Sequence, residues 1–239
     1  MSRTALLGPA AGVTLALVAV APPMHAAADA SVAAHMIQHL VLILVAAPLL
    51  ALGHPLRVAI EIIPSRFWKL ITRVVRRTQI GARHAAVVAV SACVAHFVVV
   101  WAWHIPWLYE RAIGGAALHA FEHLSLIITA YAFWSAVLGR RALGPGGAIV
   151  VLFMAAGQGT VLGALLTLAE RPWYRAHVTA GLLESLTALE DQQLAGLIMW
   201  IPGGLVYAGV ALSMLARILR HGPAKPCKPA AVGTPADSR

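Results

Sequence analysis

Charge is scarce in this chain of 239 residues: only 11% are Asp, Glu, Lys or Arg, where a soluble globular domain carries about a quarter. That deficit excludes an ordinary soluble domain. Acidic residues are the scarcest, 9 against 18 Lys and Arg, which leaves a net charge of +9. Such an excess would suit nucleic acid if it coated a folded polar surface. Here the basic residues sit in gaps between apolar runs, so no nucleic-acid partner is expected. Cysteine is nearly absent. Cys93 and Cys227 stand far apart with no CxxC, which excludes a disulfide framework and a thiolate zinc site. No internal repeat stands out. No nucleophile with an adjacent base suggests a catalytic centre, so the chain does not read as an enzyme.

What the chain has is apolar length, 60% of its residues being hydrophobic. Apolar runs lie at about residues 5–22, 33–53, 85–103, 117–138, 147–168 and 193–216. Each approaches or exceeds the roughly 18 residues that a spanning helix requires. In hydrocarbon every backbone amide has to be bonded within its own segment, so helices are the physical solution. The predicted fold is all-α, a polytopic transmembrane helix bundle of about six spans.

Three regions follow: residues 1–30, 31–218 and 219–239. The first is an N-terminal helix or a signal peptide, with a short outer segment. Arg3, an apolar core and Ala26-Ala27-Ala28 would suit cleavage, while the length of the run favours a retained helix. The second is the membrane bundle, including a basic loop at 54–83. Within it, Leu56–Arg77 mixes apolar residues with arginines and is too polar to span. It reads as an amphipathic helix on the inner leaflet or as an ordinary basic loop, with anionic lipid as its partner in the first case. The third is a Pro-, Ala- and Lys-rich tail, expected to be disordered. Gly157, Gly159 and Gly163 suit close helix packing.

Orientation follows from the positive-inside rule. With both termini in the cytoplasm, all 18 basic residues except Arg111, Arg171 and Arg175 fall on the inner side. The opposite orientation inverts that ratio.

This topology sorts the polar residues. His35 and His39 stand at the outer end of the second run, His104 at the outer end of the third, and His119, Glu122 and His123 at the outer end of the fourth. Asp191, Gln192 and Gln193 open the sixth. His96 lies about 12 Å deeper than His104, at about 1.5 Å per residue. His35/His39 and His119/His123 are i, i+4 pairs, a spacing that puts two imidazoles on one helix face. An isolated histidine near a helix end is ordinarily an interfacial hydrogen-bonding residue. Several ionisable groups converging within spans point instead to function, here a metal or haem site. Met36 and Cys93 add sulfur nearby, although each also suits plain packing. His25, His54, His84, His177 and His221 are set aside for want of partners at suitable spacing. Imidazole suits copper, zinc and iron, and nearby sulfur tilts the choice to Cu(I). His119-Ala-Phe-Glu-His123 also matches the short HxxEH zinc-protease pattern. Haem ranks lower, because two histidines on one helix face do not suit its two sides.

Several segments resemble the integral-membrane CtaG family of cytochrome c oxidase assembly factors. They are His35-Met-Ile-Gln-His39-Leu with Ala47-Pro-Leu-Leu-Ala-Leu-Gly53, Trp103-His-Ile-Pro-Trp-Leu-Tyr109, Leu118-His-Ala-Phe-Glu-His-Leu124, Phe133-Trp134, and the long stretch from Leu189-Glu-Asp-Gln-Gln to Pro202-Gly-Gly204. The resemblance covers about residues 33–216. It implies a factor that matures a haem–copper oxidase in the cytoplasmic membrane of a prokaryote. It further implies that copper is handled on the outer side, with oxidase subunits as partners and a copper donor outside the membrane. His35, His39, His104, His119 and His123 match motif positions as metal ligands. Asp191 matches as well and, with Glu122, Gln192 and Gln193, is expected to orient the imidazoles; Met36 and His96 rest on position alone. Two alternatives stand beside this reading, an HxxEH metalloenzyme and a metal-free assembly scaffold.

Overall fold

The computed structural model describes residues 3–53, 82–139, 143–174 and 186–221, and every regular element among them is helical. The expected inner-leaflet helix at Leu56–Arg77 and the expected tail beyond His221 lie outside the described residues, as do His54 and His177. Val32–Gly53, His84–Trp103, Ala116–Leu138, Gly144–Thr167 and Ala188–Arg220 are each long and apolar enough to cross a membrane. A broken pair, Leu7–Ala19 with Pro22–Ala30, bends by 49° and counts as a sixth if taken as one span.

That break falls where the short outer segment was expected, and the segment after it is helical. The first helix, α1 (Arg3–Ala19), is followed directly by a second, α2 (Pro22–Ala30). Ala21 is extended at φ −66° and ψ 151°, because a residue before proline is pushed out of the α region. Pro22, with no amide hydrogen to leave unpaired, then starts the new helix. α1 packs into the bundle: a Cβ added at Gly12 would meet Leu50 Cγ at 2.9 Å and the Ala46 carbonyl oxygen at 3.0 Å.

The second run is not a uniform α-helix. α3 (Val32–Leu40) widens into a π-helical stretch, Val41–Ala46, before α4 (Ala47–Gly53). Pro48 supplies the reason. It has no N–H for the carbonyl of Leu44, and its ring would crowd that carbonyl in α register. A wider turn relieves the crowding, and the Ala47 amide bonds back to Leu42, five residues away. Trp134 Nε1 donates to the Ile43 carbonyl at 2.7 Å from a neighbouring helix, satisfying an acceptor within the irregular turn. The wide turn begins two residues after His39, a placement common for π segments near functional sites.

The remaining helices are α5 (Ala82–Trp103), the short α6 (Pro106–Ile113), α7 (Ala116–Leu138), α8 (Gly144–Thr167) and α9 (Ala188–His221). α8 lies along α9, α7 along α5, and α3 against α9. Small residues let α8 and α9 meet: a Cβ on Gly163 would sit 2.8 Å from the Gly196 carbonyl oxygen and 2.8 Å from Trp200 Cβ. Of the three glycines expected at a helix contact only Gly163 is there. A Cβ on Gly157 or Gly159 would meet nothing within 4 Å, and the partner is Gly196. Phe133, Trp134, Leu126 and Leu152 fill the core, while Val98, Phe153 and Leu205 point outward as lipid-facing side chains do.

Candidate metal centre

One end of the bundle gathers the histidines. α3 is fixed at its start by Ser31, an extended residue whose Oγ accepts from the Ala34 amide at 3.2 Å. A second cap comes from α9. Asp191 accepts from Ser31 Oγ and the Val32 amide at 2.7 Å each, and from the Ala33 amide at 3.3 Å. A carboxylate here satisfies orphan amides and faces the positive end of the helix dipole. One turn further on stand His35 and then His39. α7 starts at Gly115 and brings His119, Glu122 and His123 in on its first two turns.

The four imidazoles face one another. Ring centroids are 4.3 Å apart for His35 and His39, 4.5 Å for His119 and His123, 5.1 Å for His35 and His119, and 5.5 Å for His39 and His123. His35, His39 and His123 each offer a ligand atom within 4.8 Å of the other two, and so do His35, His119 and Glu122. Glu122 is fully buried among them, its Oε1 lying 3.5 Å from His35 Nε2 and 3.4 Å from His39 Nε2. Among the described residues, both His39 nitrogens, His119 Nε2, His123 Nε2 and both Glu122 oxygens have no hydrogen-bond partner. Buried polar atoms are nearly always paired. Several orphans pointing into one space is the pattern expected of ligands to an ion, so this donor set fits a transition metal.

His104 lies beside this centre. Its Nδ1 is 2.7 Å from the Val100 carbonyl oxygen, which can only accept, so Nδ1 carries the proton and Nε2 keeps its lone pair. Burial holds this imidazole below its ordinary 6.5, against the raising effect of the carbonyl bond, and it stays neutral. With Met36, His39 and His96 it lines a cavity of about 50 Å³ that continues towards Met199 and Tyr207. His104 joins none of the close ligand trios among the described residues. His96 faces Thr129 Oγ1 at 3.2 Å.

The residues expected to orient the imidazoles from α9 do something else. Asp191 caps α3. Gln192 accepts from the Trp173 amide at 2.6 Å and donates to the Leu166 carbonyl at 3.4 Å, and Gln193 donates to the Ala169 carbonyl at 3.1 Å. All three hold backbone, and they place the site by placing helices. Glu122 alone of the expected orienting groups touches the rings. Within the HxxEH stretch, His119 and His123 belong to different trios, although their rings lie 4.5 Å apart.

Two groups set aside or overlooked in the sequence stand at the mouth. His25 and Asp29 on α2 form a trio with His119, all ligand atoms within 4.8 Å, and the His25 ring stacks on His119 at 4.6 Å. Their i, i+4 spacing is in the sequence, but a search for imidazole partners passes over a carboxylate. Tyr109 is the other. Buried on α6, it packs edge-on to His35 at 5.2 Å and against Tyr174 at 4.2 Å. Tyr174 donates to the His104 carbonyl at 3.0 Å. Burial pushes the Tyr109 phenol well above its usual 10, which keeps this wall of the site neutral.

Fold and site together define a polytopic helical membrane protein with an imidazole-lined centre at one end of its bundle. A family model described as cytochrome c oxidase caa3 assembly factor (Caa3_CtaG) matches residues 2–221. The chain belongs to this family of oxidase assembly factors, as its motifs suggested. No curated protein and no solved structure matches it.

Proposed function

We propose that this assembly factor acts as a metallochaperone, holding one Cu(I) between His35, His39 and His123 and handing it to an oxidase subunit. The observation that carries the reading is the buried trio of imidazoles beside a carboxylate, in which both His39 nitrogens and His123 Nε2 have no hydrogen-bond partner among the described residues. Charge favours the monovalent ion. A cation bound beside Glu122 would let its buried carboxylate ionise; Cu(I) then cancels that charge, where Zn(II) or Cu(II) would leave an excess. Imidazole is an acceptable copper donor. Three such ligands leave room for an incoming donor from a partner, so the ion is released by ligand exchange. The distribution of Lys and Arg supports an orientation with this end of the bundle outside the cytoplasm, towards an extracytoplasmic copper donor at the outer face of a prokaryotic membrane.

Glu122 gives a direct test. Glu122→Gln keeps size and shape and removes the charge. Cu(I) affinity, measured by competition against a chromogenic chelator, is expected to fall about ten- to a hundredfold, with wild type binding one ion per chain. Affinity unchanged by the substitution, or a wild type that takes no copper, contradicts the reading. A metalloenzyme using Glu122 as a general base would instead keep its metal and lose turnover.

A further inference from the structure

Three trios of ligand atoms overlap at this end of the molecule. His25, Asp29 and His119 form the first; His35, His119 and Glu122 the second; His35, His39 and His123 the third. Each shares one residue with the next, His119 and then His35. The first trio is open to water and the other two are buried. The side chains of His25 and Asp29 are 40% and 46% exposed, His119 is 2% exposed, and His35 and Glu122 are fully buried. The carboxylate of Asp29 lies 3.8 Å from His25 Nε2 and 3.8 Å from His119 Nδ1. The His119 ring stacks on His25 at 4.6 Å on one side and on His35 at 5.1 Å on the other.

We infer that His25, Asp29 and His119 form an outer copper-capture site, from which the ion descends to the buried trio by ligand exchange through His119 and His35. This rests on the copper reading above and adds the path. A cation passing from water into a buried site has to keep some ligands while it sheds others, since a bare ion in a low-dielectric interior is prohibitive. Overlapping trios supply that continuity: at each hop one ligand stays on and two are exchanged. No electron moves, and the ion keeps its oxidation state. The mixed oxygen and nitrogen donors of the outer trio, open to water, suit capture and quick release. Retention belongs to the all-imidazole trio.

The test is Cu(I) uptake by the full-length protein in detergent micelles, with Cu(I) supplied as its bicinchoninate complex and loss of that colour followed by stopped flow. His25→Gln/Asp29→Asn is expected to slow uptake about tenfold. Release to excess chelator should slow by the same factor, because one path serves both directions, while copper retained at equilibrium is set by the buried trio. Asp29→Glu, which keeps the carboxylate, should recover most of the rate. Uptake by His25→Gln/Asp29→Asn at the wild-type rate overturns the path and leaves the buried site standing. A fall in retained copper with uptake unchanged also overturns it, since His25 and Asp29 would then be holding the ion. Wild type taking no Cu(I) at all defeats both the path and the copper reading.

Discussion

Replacing His35 and His39 together by alanine is expected to remove retained copper: affinity for Cu(I) should fall by more than about a hundredfold. Loss of a group that merely supports a metal ligand typically costs about ten- to a hundredfold, and this variant deletes two of the three proposed ligands. The helix has little reason to unwind, although two buried side chains leave a cavity that costs some stability. Both residues lie inside α3, where alanine is the best helix former, and both His39 nitrogens are without hydrogen-bond partners among the described residues. The contacts that set α3, from Ser31 and Asp191, remain. Copper in detergent-purified protein, measured by mass spectrometry beside helix content, separates loss of metal from loss of structure. In cells the same variant should leave the oxidase without active copper centres. Full oxidase activity alongside the double variant would mean that the chain serves as a scaffold and that its histidines are dispensable.

Asp191→Ala is expected to destabilise the protein by about 3 kcal/mol or more. Three bonds disappear at once, from Ser31 Oγ, the Val32 amide and the Ala33 amide. An N-cap alone is worth about 0.5–2 kcal/mol, and a hydrogen bond to a charged group about 1.5–3 kcal/mol. The freed donors are buried, so water does not readily replace the carboxylate. Asp191→Asn keeps one acceptor but turns an amine towards a donor, and should recover only part of the loss. The damage should reach the proposed metal site, because the His35 amide bonds back to the Ser31 carbonyl at 3.0 Å, one turn from the cap. Thermal unfolding in detergent is expected to drop in the order wild type, Asn, Ala, with copper affinity following. An alanine variant within about 0.5 kcal/mol of wild type, the range of an ordinary surface substitution, would mean that the cap does not set the helix.

The spans were legible because hydrocarbon imposes a length and a polarity that few other environments demand, and apolar runs of the right size mark them one by one. The two i, i+4 pairs were legible for a similar reason: helical spacing alone puts His35 beside His39 and His119 beside His123. What failed depended on distance along the chain. Asp191 looked like an orienting group for imidazoles. Its true partners are 158 to 160 residues away, and no local pattern announces a cap supplied by another helix. Gly196, the partner of Gly163, was hidden for the same reason. The π stretch escaped because a periodicity argument assumes α register throughout, although Pro48 marked the place where that register is hardest to keep. His25 and Asp29 have the spacing accepted elsewhere, and were missed because only a second imidazole was taken as a partner.

The most direct measurement is X-ray absorption at the copper edge on the full-length protein loaded with one equivalent of Cu(I). The expected result is a single shell of three nitrogen scatterers at about 2.0 Å, the ordinary metal–imidazole distance, with the outer-shell pattern of imidazole rings and no sulfur. A sulfur shell at about 2.3 Å, or a shell of oxygens without imidazole, would contradict it and move the copper away from His35, His39 and His123.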